Sequence, residues 1–149
     1  MEQYNRAAAV AYARTWAMRR NPKYLDFAKL GGDCTNFVSQ CLFAGGMKQT
    51  RGLYGWYYEN GYDKSASWTG VEFFYNYINK SGRGVFVERD ELSVGDVIQL
   101  SFDGNFFAHT LIVSDISADE IFICAHDNDS LDRALSSYNF KRARYIKIK

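Results

Sequence analysis

All helical periodicity in this chain lies ahead of Gly82, and all strand-like patterning lies after it. Residues 4–18 are rich in Ala, with Tyr12 and Trp16 interspersed, and predict a first helix that stops ahead of Pro22. Past Gly31-Gly32, the residues Cys34, Phe37, Val38, Cys41 and Leu42 recur at i, i+3, i+4, i+7 and i+8, the apolar stripe of a second helix. Asp33 is placed to cap its first turn, and Gly45-Gly46 to end it. Thr69-Gly70-Val71-Glu72 has the capping-box pattern of a third helix that runs to Asn79. Between the second and third, residues 54–62 are crowded with aromatics and read either as an ordered loop over a cleft or as a loop packed on the core. Strand-like runs then follow at 85–88, 96–102, 107–115, 120–126 and 144–149. Helices first and strands second predict an α+β fold, with N-terminal helices packed on a C-terminal antiparallel β-sheet, rather than an alternating doubly wound one.

The chain of 149 residues is the size of one domain, so 1–149 reads as a single unit. Its 47% hydrophobic and 17% aromatic content is that of a packed globule. With Lys+Arg 18 against Asp+Glu 17, the net charge of +1 removes the basic field that would point to nucleic acid. No apolar run approaches the ~20 residues of a membrane span. The start Met1-Glu2-Gln3-Tyr4 lacks the basic n-region of a signal peptide, so a substrate outside the cell implies another route of export.

Three cysteines, Cys34, Cys41 and Cys124, leave at least one free thiol. Cys34 and Cys41 lack the short spacing of a zinc site, and neither a metal nor another cofactor is implied. Cys34 is the residue with chemical potential. It opens the second helix, where unpaired N–H groups and the helix dipole favour a thiolate and can receive the negative oxygen of an attacked amide. The bland alternative is a small buried hydrophobe at the head of an apolar stripe. A nucleophilic thiol needs a base, and the chain has two histidines, His109 and His126, in neighbouring strand-like runs. A hairpin turn centred on Ser117-Ala118 makes them direct cross-strand partners, one as base and one as its orienter. A one-residue bulge would instead put Ala125 or Asp127 opposite His109. His126-Asp127-Asn128-Asp129 offers further polar groups, or a solvated turn.

The run Gly31-Gly32-Asp33-Cys34-Thr35-Asn36-Phe37-Val38-Ser39-Gln40 resembles the signature of the putative amidase domain family of bacteria, papain-like cysteine hydrolases related to the NlpC-type and CHAP peptidoglycan hydrolases. The resemblance extends to Tyr4-Asn5-Arg6, Ser67-Trp68-Thr69, Gly95-Asp96, Ala108-His109-Thr110 and His126-Asp127-Asn128-Asp129. It implies a papain-like fold and hydrolysis of an amide or peptide bond, with a peptidoglycan fragment or another peptide or amide as substrate. Cys34, His109 and His126 match the catalytic positions in order, with Asn128 or Asp129 as alternatives for the third. Where the family pattern has a hydroxyl residue after that last histidine, this chain has Asp127. Asp33, Trp68, Asn128 and Asp129 are the expected substrate-side residues. A peptide-cutting endopeptidase and a catalytically silent binding module are the competing readings.

Overall fold

The computed structural model describes residues 3–149. Its helices are α1 (Arg6–Trp16), α2 (Cys34–Ala44), α3 (Ala66–Thr69) and α4 (Val71–Ser81). Its strands are β1 (Tyr58–Asn60), β2 (Asp63–Lys64), β3 (Gly84–Phe86), β4 (Val97–Ser101), β5 (His109–Ser117), β6 (Glu120–Ala125), β7 (Ser130–Ala134) and β8 (Arg142–Ile148). β1 and β2 form a small hairpin. The other six make one antiparallel sheet in the order β3-β8-β4-β5-β6-β7. The α+β expectation holds. Among the described residues, no helix is long and apolar enough to cross a membrane.

The helices cover one face of the sheet. Phe37, Val38, Cys41 and Leu42 of α2 pack with Ala9 and Ala13 of α1, Phe74 and Ile78 of α4, and the sheet residues Val97, Ile112, Cys124 and Ile146. The alternate sheet residues Ile98, Leu100, Leu111, Val113, Ile121 and Ile123 build a second core on the opposite face, closed by Leu92 and Leu135. Strands with both faces buried read as near-continuous apolar runs, which is how β4, β5 and β6 look in sequence.

Three local expectations are corrected. Asp33 occupies the N-cap position of α2 but makes no side-chain cap bond, because its carboxylate is turned inward. The predicted third helix is α4, but it lacks the capping box read at Thr69: a short helix that the sequence did not signal, α3, ends at Thr69, and Gly70, with an extended backbone (φ −108°, ψ 132°), opens α4 without a side-chain cap. The hairpin between β5 and β6 turns at Ala118-Asp119, with Ser117 opposite Glu120, and a bulge at Ser114 shifts the pairing to Val113–Ile123 and Ile112–Cys124. Carried inward, that register sets Asp127, not His126, across from His109. Because side chains alternate across a strand, a one-residue shift moves each histidine's partner to the other face. The expected His109–His126 pair is therefore not formed.

The aromatic segment splits between the two readings. Trp56 and Tyr58 are buried in the first core with Trp68, whereas Tyr54 and Tyr62 stand almost fully exposed.

Candidate active site

A helix start leaves N–H groups without intrahelical partners, and at α2 those groups are met by a carboxylate from a distant turn. The two oxygens of Asp127 accept from the Asp33 N–H at 2.9 and 2.8 Å, and one of them also accepts from the Cys34 N–H at 3.1 Å. The placement is local in origin. Asp127 and Asn128 have φ of 62° and 65°, in the tight turn between β6 and β7. Asp and Asn are the non-glycine residues that adopt this left-handed conformation most readily. Opposite them, Gly32 has φ +113°, and a Cβ there would lie 2.9 Å from Asp127 Oδ2. Glycine is thus needed at Gly32 both for its backbone and for the space the carboxylate takes.

Cys34 is the first residue of α2 and is buried. Its Sγ lies 3.8 Å from Thr35 Oγ1 and against the backbone of Thr110, one residue beyond His109. Burial pushes the thiol up, the Thr110 contact draws it down, and the negative Asp127 pushes it up further. Thr35 Oγ1 and Thr110 Oγ1 meet at 2.9 Å and pin the first turn of α2 to β5.

His109 opens β5 on the sheet face away from Thr110, with the rings of Phe102 and Tyr138 at 6.5 and 5.8 Å. Burial pushes its imidazole down to about 4, with Asp127 opposing that shift and Arg133 adding to it. The ring is therefore neutral at pH 7, the form that accepts a proton. His109, Asp127, Asn128, Arg133 and Tyr138 line an open cleft of about 390 Å³. No hydrogen bond joins Cys34 to His109 among the described residues; what the two share is Asp127, which bonds the N–H of one and faces the other.

His126 lies on the helix side instead, enclosed and stacked on Phe37 with ring centroids 4.0 Å apart. Its Nδ1 meets Asp33 Oδ2 at 2.5 Å, and its Nε2 meets the Trp16 carbonyl oxygen at 2.8 Å. Both partners are acceptors, so neither nitrogen is left to hold a second imidazole, and His126 does not orient His109. Asp33 is equally enclosed: its Oδ1 accepts from the Phe27 N–H and Asn36 Nδ2, and Arg20 Nε lies 3.5 Å from its Oδ2. Trp68 is wholly buried, with its Nε1 donating to Asn36 Oδ1. Asp33, His126 and Trp68 therefore belong to the framework and do not line the cleft. Of the expected substrate-side residues only Asn128 does so; Asp129 is held by Arg20 in a two-pronged contact at 2.7 and 3.0 Å.

Arg20 and Arg133 are the contributors that sequence reasoning missed, whereas Asp127 was reached only as a residue that a bulge would put opposite His109 and as one of several polar groups, not as the partner of the α2 N–H groups. The turn itself was legible in the adjacent Asp127-Asn128 pair, both tolerant of positive φ; what was not legible is that it faces the start of α2 instead of solvent. Nothing local marks Arg20 or Arg133.

The match to the family model covers residues 3–148. The chain belongs to the putative amidase domain family. It is 39% identical over 120 residues to Uncharacterized protein YhbB of Bacillus subtilis (strain 168), covering 74% of this chain and 37% of that protein. To Uncharacterized protein YjcM of the same organism it is 28% identical over 141 residues, covering 87% of this chain and 32% of the relative. The chain thus spans about a third of the length of these curated relatives. No solved structure matches it.

Proposed function

We propose that this domain hydrolyses amide or peptide bonds with Cys34 as nucleophile and His109 as the proton-accepting base, and that its substrates are peptidoglycan fragments. The observation that carries the reading is the anion held beside the thiol: N–H groups of Asp33 and Cys34 cradle the Asp127 carboxylate. The same donors are placed to receive the negative oxygen that forms when a thiolate attacks an amide carbon. A neutral imidazole in the adjoining cleft supplies the base, and membership of the amidase family agrees with the bond class. In the reaction, Cys34 Sγ bonds to the carbonyl carbon and its proton passes by way of His109 to the leaving amine. Water then releases the acyl group. The peptidoglycan assignment rests on the resemblance of the signature run to the papain-like wall hydrolases.

A second reading is favoured by one specific observation. The thiol is pushed up, and the donors at the helix start are already taken, which is the condition of a silent binding module. Purified wall fragments separate the two. Digestion by the wild type that disappears in Cys34→Ala and in His109→Ala supports the hydrolase. Fragments that bind equally well to wild type and Cys34→Ala, with no new amine or carboxylate by mass spectrometry, support the module.

A further inference from the structure

The carboxylate that reveals the anion site also fills it. An oxyanion formed on a carbon bonded to Cys34 Sγ has the Cys34 N–H as its nearest backbone donor, and that N–H is bonded to Asp127 Oδ2 at 3.1 Å. The neighbouring donor, Asp33 N–H, is bonded to both Asp127 oxygens. A negative charge at this position repels a developing negative oxygen and raises the thiol's resistance to ionising. Gly32 leaves the carboxylate its space, and the turn at Asp127-Asn128 aims it there, so the contact is built from both sides.

Resting on the hydrolase reading, we propose that Asp127 is a self-blocking residue that occupies the oxyanion position at the start of α2, and that substrate must displace it before Cys34 can be acylated. The turn gives it somewhere to go. The cleft holding His109 and Arg133 adjoins Asp127, and its charge already acts on His109 from there. Displacement toward that cleft frees two N–H donors for the substrate carbonyl and moves the carboxylate into a space that Arg133 also lines.

The test compares two probes of one thiol. Attack on a p-nitrophenyl ester forms the S–C bond through a tetrahedral oxyanion, breaks the ester C–O bond and expels p-nitrophenolate, the thiol proton passing by way of His109 to water. Alkylation by iodoacetamide displaces iodide and forms no oxyanion. Both are read at Cys34 by mass spectrometry in wild type, Asp127→Gly and Asp127→Asn, replacements that keep the positive φ of the turn. Circular dichroism melts confirm that each variant is folded. Freeing backbone donors of this kind is worth about tenfold or more, so acylation rises at least about tenfold in Asp127→Gly, while alkylation rises much less. Equal rises in both probes overturn the proposal, because Asp127 then merely shields the thiol. A fall in acylation, with the pH profile moving to lower pH, overturns it in favour of Asp127 as the orienter of His109. Reaction of neither probe at Cys34 in any of the folded chains overturns the nucleophile reading itself, and the blocking proposal with it.

Discussion

Enclosing an imidazole between aromatic rings makes its charged form expensive, and at His109 the effect is large enough to read in stability. The folded ring is pushed from 6.5 down to about 4, so between those values the unfolded chain binds a proton that the folded one refuses. The sign follows: this contribution is complete above about pH 6.5, is lost as pH falls toward about 4, and changes no further below that. At roughly 1.4 kcal/mol per unit the loss is about 3 kcal/mol. Urea unfolding of wild type and His109→Gln at pH 7.5, 5.5 and 4.5 should show the wild type losing more stability than the variant on acidification. Parallel curves would mean that the ring is solvated and free to charge. His126, the other histidine, differs in kind, since its two ring nitrogens are spent on Asp33 and the Trp16 carbonyl. Two histidines that look alike in sequence are thus a cleft residue and a framework residue, and only the strand register separates them.

At the level of the element, the start of α2 shows what was legible and what was not. Its apolar stripe and its closing glycines predict the helix, and Cys34–Ala44 is the helix found. The polar residues between the stripe positions look like a solvated face but are buried. Asn36 bridges Asp33 and Trp68, Ser39 bonds the Trp68 carbonyl, and Thr35 meets Thr110. Periodicity reports which residues avoid water, not which find partners away from it. The bulge at Ser114 has no sequence mark at all, yet it decides which residue faces His109. The same helix start carries a prediction. Gly32→Ala forces a side chain into a left-handed backbone, at about 1–2 kcal/mol, and sets its Cβ against the Asp127 carboxylate. Denaturant midpoints should show it destabilised by more than that strain alone, with the excess vanishing in the Asp127→Gly background. An unchanged excess there would mean that the carboxylate does not rest over Gly32.

Across the whole molecule, the two ends of the described chain are clamped to each other through the sheet. Arg6, at the head of α1, donates to Asp96 Oδ1 at 2.6 Å, to the Val94 carbonyl at 3.0 Å and to the Ile148 carbonyl at 2.6 Å. Tyr4 donates to the Gly95 carbonyl at 2.8 Å. Asp96 is fully buried and also accepts from the N–H groups of Ile148 and Ser93, with Lys147 Nζ 3.4 Å away. Tyr4-Asn5-Arg6 and Gly95-Asp96, which looked in sequence like parts of one family signature, are therefore two halves of a single knot that ties α1 to β4 and β8. The knot holds the helix layer on the sheet, and with it the placement of α2 over β5. Removing the buried carboxylate should be severe, because it strands the Arg6 guanidinium and two backbone donors. Asp96→Ala is expected to cost about 3–5 kcal/mol in urea unfolding. Lys147→Met removes a partly exposed ammonium that lies 3.4 Å from the same carboxylate and bonds the Glu91 carbonyl and Ser93 Oγ at 2.9 Å, and should cost less than about 1 kcal/mol. Comparable losses from the two would place the strength of the knot in its charge balance. A large gap between them places it in the hydrogen bonds that Asp96 gathers from three segments of the chain.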